Sequence, residues 1–371
     1  MFSMFFGAGN VVFPLALGQF AQDQNFYAII GLLITAVGVP FAGLIAMTLF
    51  DGDYDTFFQR IGKVPGFLVA LFIMGLIGPF GAIPRCITLS YSTMNILMPG
   101  MSLPIFSIIA CAAIFLFTIR KNSILDTLGY ILTPLLLTSL AIIIIKGLLS
   151  EHEAPIAHHD KLEIFLKGLK DGYLTMDLLG AFFFSSVIIE CLKNGMTITG
   201  NMHRSLMKTA LKASAIGAFL LAITYIGFNY VASFYSGQLI NVPSDELIAR
   251  IAIHVLGEHA AIIACSAVAL ACLTTAIALS AVFAEFLHKD IICDKVSYGS
   301  SLLITLVIAF FVSTLDFMGI AAFLVPLLQI CYPALITLTI LNILYKLYDF
   351  KPVKVPVLIV FVISLIAYFT Q

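Results

Sequence analysis

Tryptophan is absent from these 371 residues, and only 11% of them are charged, while 61% are hydrophobic and the mean hydropathy is +1.08. A soluble domain of this size could not cover so much apolar surface with so few charges. The composition therefore reads as an all-α integral membrane protein. Without Trp, anchoring at the membrane–water boundary falls to thirteen Tyr and to Lys and Arg. The net charge of −1 and the pI near 6.6 lack the basic excess of a nucleic-acid binder. Seven cysteines are an odd number and include no CxxC pair. Cys86, Cys111, Cys265, Cys272 and Cys331 sit in apolar runs, as small buried hydrophobes do, and suggest no disulfide framework. The first segment has neither a basic stretch before it nor a small-residue cleavage site, so no cleavable signal peptide is expected. HExxH, GxGD, a nucleophile elbow and a phosphate loop are all missing, which argues against an intramembrane protease or another membrane enzyme. No cofactor is expected.

What is present is a series of apolar runs, each close to the roughly 20 residues that a span needs. They fall at about 2–20, 26–50, 65–97, 103–119, 123–149, 171–192, 207–235, 258–287, 298–314, 319–345 and 353–370. The count is eleven transmembrane helices. The third run exceeds one membrane thickness and must tilt or kink, and Pro79 and Pro84 supply the means. Alternate loops hold Arg60, Lys63, Arg120, Lys121, Lys193, Arg204, Lys208, Lys212, Lys289, Lys295, Lys346, Lys351 and Lys354. The opposite loops hold only Lys161, Lys167, Lys170 and Arg250, an asymmetry of 13 to 4. By the positive-inside rule the N-terminus is cytoplasmic and the loop around Glu151–Asp160 is external.

The chain divides into a five-helix block at 1–149, an external loop at 150–170, a second five-helix block at 171–346 and an accessory helix at 347–371. An odd number of spans per block gives the two blocks opposite topology. Inverted repeats of this kind break the first helix of each half, because unwound backbone at mid-membrane is tolerated where it lines a cavity. In the first half, Gly7-Ala8-Gly9-Asn10 are poor helix formers that interrupt an apolar segment. They read as a helix break or as a small-residue packing face. In the second half, Asp177, Gly180 and the Ser185-Ser186 pair stand where the symmetry wants a break, near Gly180–Ser186.

Asp177 is the sharpest single residue, since an ionisable group inside a span is costly. It reads as a proton carrier, as the partner of a cation such as Arg85, or as an Asp reaching loop water at its helix end. Arg85 could instead be satisfied by carbonyls freed around Pro84. Glu190 and Glu285, beside Lys193 and Lys289, read as side chains snorkelling to the interface. Thr274-Thr275 lies mid-span after Ala271-Cys272. Its hydroxyls either bond back to a carbonyl of the preceding turn or, with break carbonyls, offer an all-oxygen hard-cation site. Glu151, His152, Glu153, His158, His159 and Asp160 have metal-binding side chains, but their spacing is that of a solvated loop.

Five segments in order resemble the branched-chain amino acid transport system II carriers, the BrnQ or LIVCS symporters. They are Met4–Pro14 (MFFGAGNVVFP), Gly78–Arg85 (GPFGAIPR), Leu125–Gly129 (LDTLG), Gly172–Asp177 (GYLTMD) and Ala271–Thr275 (ACLTT). The resemblance spans residues 4 to about 335. It implies a LeuT-like five-plus-five inverted repeat with helices 1 and 6 broken. It also implies import of Leu, Ile and Val by Na+ symport in a bacterial cytoplasmic (inner) membrane. Amides around Gly7, Ala8, Gly9 and Asn10 would hold the substrate carboxylate, and Phe183, Phe184, Ser185 and Ser186 would border its other end. Sodium would sit on carbonyls of Ser3, Phe6 and Ala271 and on hydroxyls of Thr274 and Thr275. Against that family the chain starts only six residues before Gly7, so the cytoplasmic half of helix 1 would be nearly absent. A twelfth span is also missing, and Ser92 stands where the family has an acidic residue. The alternatives are an H+-coupled carrier titrating Asp177, or a truncated membrane subunit that no longer transports.

Overall fold

The computed structural model describes residues 2–97, 99–119, 124–149, 154–157, 159–195, 202–292 and 295–370. Among them every regular element is helical. The chain begins with α1 (Phe2–Phe5), α2 (Ala8–Ala21) and α3 (Asn25–Leu33), and α3 runs through a π-helical turn into α4 (Val39–Leu49). A short α5 (Tyr54–Gln59) leads to α6 (Lys63–Ile77), α7 (Ala82–Leu97), α8 (Leu103–Ile119) and α9 (Ile124–Leu148). Then follow α10 (Lys161–Leu174), α11 (Asp177–Gly195), α12 (Met202–Phe234), α13 (Leu247–Leu256) and α14 (Glu258–Phe286). The last three helices are α15 (Tyr298–Ser313), α16 (Asp316–Tyr348) and α17 (Lys354–Thr370).

Five described stretches are long and apolar enough to cross a membrane: Ala8–Leu49, Lys63–Ile96, Lys208–Phe234, Glu258–Ile291 and Asp316–Tyr348. Shorter apolar helices include Leu103–Ile119, Pro134–Leu148, Tyr298–Ser313 and Lys354–Thr370. The chain is a multi-pass membrane protein, and its surface shows why. Phe311 (65% exposed), Leu116 (65%) and Leu358 (62%) face outward, whereas Asn10, Arg85, Asp177 and Asn229 are buried. That inversion suits a hydrocarbon solvent, where polar groups must find partners inside the protein.

The third apolar run is interrupted at 78–81, between α6 and α7. Pro79 has no N–H to continue the ladder, and Phe80 N–H donates to the Gly75 carbonyl across the turn. In the second half, the interruption falls at Thr175 and Met176, with Met176 in the left-handed region at φ 64°. This corrects the expectation of a break near Gly180–Ser186, since α11 runs unbroken through those residues. Asp177 sits in the first turn of α11 and stabilises its N-terminus, where a carboxylate is favoured.

Helices that carry the centre are held close by glycine. α2 packs along α12, α3 against α10, and α7 against α14. A Cβ on Gly18 would lie 2.1 Å from the Asn229 carbonyl oxygen, and one on Gly168 would lie 2.4 Å from the Ala28 carbonyl oxygen. Backbones can approach this closely only where no side chain intervenes.

Candidate functional site

Phe6 and Gly7 separate α1 from α2, and Thr175 and Met176 separate α10 from α11. The two interruptions face each other: a Cβ on Gly9 would stand 3.0 Å from Thr175 Cα and 3.1 Å from the Leu174 carbonyl oxygen. Between them lies a cavity of about 40 Å3, lined by Phe5, Gly7–Asn10, Arg85, Thr175–Asp177, Gly180, Phe184 and Thr275 among others.

Asn10, one turn into α2, organises one wall. Its Oδ1 accepts the Gly7 N–H (3.0 Å), which supplies the partner that a helix's first turn lacks. Its Nδ2 donates to both Asp177 oxygens (2.8 Å each) and to the Tyr225 hydroxyl. Tyr225, from α12, donates to Asp177 Oδ2 at 2.8 Å. Asp177 is 3% exposed and does not reach loop water at a helix end. Beside it, Tyr332 of α16 accepts the Leu178 N–H at 3.3 Å.

Arg85 enters from α7 and is 2% exposed. Its Nη1 donates to the Leu174 carbonyl (2.9 Å) and to Met176 Sδ (3.3 Å). The carbonyl that holds it is therefore freed by the α10–α11 interruption, not by Pro84. Phe13 and Phe317 lie 4.8 and 5.2 Å from the guanidinium carbon. Nε and Nη2 have no protein hydrogen-bond partner. Asp177 and Arg85 share the cavity wall without direct hydrogen bonding, each oxygen of Asp177 being engaged by Asn10 and one also by Tyr225.

On the opposite side, Thr275 Oγ1 reaches the Phe6 carbonyl (3.2 Å) across the helix boundary and the Ala271 carbonyl (3.1 Å) along its own helix. Thr274 Oγ1 donates to the same Ala271 carbonyl at 2.8 Å. Back-bonding and juxtaposition with the α1–α2 interruption thus coexist. Phe6, Ala271, Thr274 and Thr275 bring four oxygens together. Ser3 is in α1, and its side chain lies outside the described ones.

The residues 183–186 diverge, as successive positions turning about 100° must. Phe184 lines the cavity and meets Phe5 edge-on at 5.5 Å. Phe183 packs on Tyr54 and Phe58. Ser185 bonds to the Ala181 carbonyl and Ser186 to the Gly52 carbonyl, neither lining the cavity. Ser92 bonds to Asp245, which therefore supplies a carboxylate near the place where the resemblance expects one. Glu285 pairs with Lys289 at 2.7 Å on the surface, but the side chains of Glu190 and Lys193 are outside the described residues.

Glu151, His152, Glu153 and His158 also lie outside the described residues. His159 pairs with Glu163, Asp160 caps α10 through the Leu162 N–H, and no group of three metal-binding side chains occurs among the described residues. The five described cysteines are free. Sequence reasoning missed Tyr225 and Tyr332. A Tyr four residues from Asn229 within an apolar run was the available signal, one helical face carrying both polar groups.

Interrupted helices around a mainly apolar cavity that carries a few buried polar side chains, inside an apolar bundle, are the architecture of a membrane transport protein. The fold is similar to that of a solved structure described as "Inward facing conformation of Mhp1". The likeness has a TM-score of 0.61 and 14% identity, and covers 95% of this chain and 78% of that one. A protein of Staphylococcus aureus strain USA300 named as a branched-chain amino acid carrier is 30% identical over 387 residues, covering 98% of this chain and 85% of its own length. A Staphylococcus epidermidis protein of the same description is 28% identical over 398 residues, covering 100% and 86%. The family model described as "branched-chain amino acid transport protein" matches residues 1–371. The chain belongs to that family, and it is a transport protein, not an enzyme.

Proposed function

We propose that the chain is a secondary carrier importing leucine, isoleucine and valine with Na+ across a bacterial cytoplasmic membrane. It would be built from eleven spans as inverted five-helix repeats at 1–149 and 171–346. Residues 150–170 make the external connection between them, although 161–170 are helical as the start of α10 and not loop; 347–371 form an accessory helix, and the N-terminus is cytoplasmic. The observation that carries this reading is the approach of the Thr275 hydroxyl to the Phe6 carbonyl at 3.2 Å, beside a cavity between two helix interruptions. Oxygens of Phe6, Ala271, Thr274 and Thr275, with Ser3, are the hard donors that Na+ takes. The N-terminus of α2 at Gly7–Asn10 favours an anion, and Phe184 and Phe5 border an aliphatic side chain. One methylene is worth only about 1–3 kcal/mol, so the three substrates share the site with modest preference. One charge crossing about 150 mV is worth about 3.5 kcal/mol, enough for roughly 300-fold accumulation by a single cation.

A second reading, H+ coupling through Asp177, is favoured by one observation: a fully buried carboxylate held by Asn10 and Tyr225 on the cavity wall. Leucine uptake into proteoliposomes under an inward Na+ gradient at equal pH separates the two. Na+ stimulation is expected, and Thr275→Ala should abolish most of it. Thr337→Ala, which removes only a back-bond to the Pro333 carbonyl, should leave it intact. Uptake indifferent to Na+ and to Thr275→Ala sinks the sodium reading. If Asp177→Asn is silent as well, neither ion reading survives.

A further inference from the structure

The cavity wall holds a buried carboxyl group and a buried guanidinium, and they are not equally satisfied. Asp177 accepts from Asn10 through both oxygens and from Tyr225 through one. Asn10 Oδ1 is already engaged with the Gly7 N–H. Arg85 uses only Nη1, and its Nε and Nη2 are buried without a partner. A guanidinium left with open donors away from water is costly unless something else fills them.

The two open nitrogens are not an arbitrary pair. Nε and Nη2 share one edge of the planar guanidinium, the edge that offers two parallel N–H bonds to a carboxylate. Phe13 and Phe317 lie near the guanidinium rather than bonding to that edge. Nη1 is tied to the Leu174 carbonyl, which fixes the plane. A Cβ on Gly9 would stand 3.1 Å from Nη2, so only glycine fits against that edge, which is closed off from open space in this conformation. The same edge belongs to a side chain that lines the cavity alongside Asp177.

We propose that Arg85 is the carboxylate anchor of this cavity: its Nε–Nη2 edge takes the α-carboxylate of a zwitterionic amino acid whose ammonium faces Asp177. The assignment rests on the amino-acid carrier reading above and moves the principal anion contact from the α2 amides, of which Gly7 is already capped, to the α7 guanidinium. A free carboxylate then becomes the selected feature of the substrate, ahead of its side chain.

The test is displacement of radiolabelled leucine from the purified full-length chain by leucine and by leucinamide, which keeps the ammonium and side chain but lacks the carboxylate. Losing a charge-assisted bidentate contact corresponds to about 10- to 100-fold, so the unmodified chain should prefer leucine by about that factor. In Arg85→Gln the preference should collapse to within about 3-fold, with Arg85→Lys between them because it keeps the charge and loses the fork. If Arg85→Gln weakens both ligands equally and the preference persists, Arg85 merely supports the fold and the assignment is wrong. Arg85→Lys is read the same way should the Gln variant not fold. In the unmodified chain, leucine but not leucinamide should shield Arg85 from phenylglyoxal; equal labelling with and without leucine also overturns the assignment. Failure of the unmodified chain to bind any leucine overturns the amino-acid reading itself, a separate result.

Discussion

Replacing Gly18 with alanine tests the architecture that brings Asn10 to Tyr225. The added Cβ would lie 2.1 Å from the Asn229 carbonyl oxygen and 2.8 Å from its carbon, where ordinary contacts begin at 3.4 Å. The obstacle is helical backbone, which cannot rotate aside, so α2 and α12 must separate by on the order of 1 Å. Overpacking of this kind costs about 1–3 kcal/mol, or a fall in melting temperature on the order of 5 °C. Asn10 lies eight residues along α2, about 12 Å away, and Tyr225 four along α12, about 6 Å. The splay should therefore reach the hydrogen bonds on Asp177 and weaken leucine binding together with stability. Because the chain has no tryptophan, unfolding is best followed with a thiol-reactive dye that reports exposure of buried Cys86, Cys265 and Cys272. Gly299→Ala is the matched control, since its Cβ would meet only Ile119 Cδ1 at 3.8 Å; it should melt like the unmodified chain or slightly above it. A Gly18→Ala protein that melts within about 1 °C of the unmodified chain and binds leucine as well would refute the reasoning.

Two further perturbations complete the set begun with Thr275→Ala and Arg85→Gln. Tyr225→Phe keeps the ring and deletes one donor to Asp177, a charge-assisted bond worth about 1.5–3 kcal/mol. Lower thermal stability and weaker leucine binding are expected, and an unchanged melt would remove Tyr225 from the network. Asp55, in α5 outside the spans, has its carboxyl raised above the usual range, first by burial and then by the charges of Asp290 and Asp53. A raised acid binds its proton more readily folded than unfolded, so its contribution is present below the ordinary carboxylate range and lost as pH rises through the raised value. Asp55→Asn should therefore stabilise the protein at pH 7 and change little at pH 4; equal shifts at both would count against that cause.

Much of this protein can be read along the chain because a bilayer imposes one-dimensional rules. Composition alone requires a helical membrane protein, and Pro79 predicts the turn that divides α6 from α7. Gly7-Ala8-Gly9-Asn10 and Thr274-Thr275 stand out because polar or small residues interrupt apolar runs, and the first four and Thr275 border the cavity. The second interruption was misplaced by a few residues. Met176, at its centre, has no sequence signature for a left-handed conformation, whereas Gly180 and the Ser pair, which look like breakers, are tolerated within α11. Of the four residues at 183–186, sequence could show that they cannot all face one cavity, but not that Phe184 is the one that does.

Which buried polar groups answer one another was decided only by the tertiary structure. Asn10, Asp177 and Tyr225 are separated by 167 and 48 residues and lie on three helices. Nothing local to any of them encodes the other two. The same holds for Arg85, whose residue type announces a buried cation but whose partner is a backbone carbonyl 89 positions away. A backbone acceptor carries no sequence signal at all. The sequence by itself determined the solvent, the helical secondary structure and the interruptions beside Gly7 and Pro79, because each follows from local chemistry. The packing of α2 on α12 and of α7 beside the α10–α11 interruption decided which charge is satisfied and which edge of Arg85 is left open.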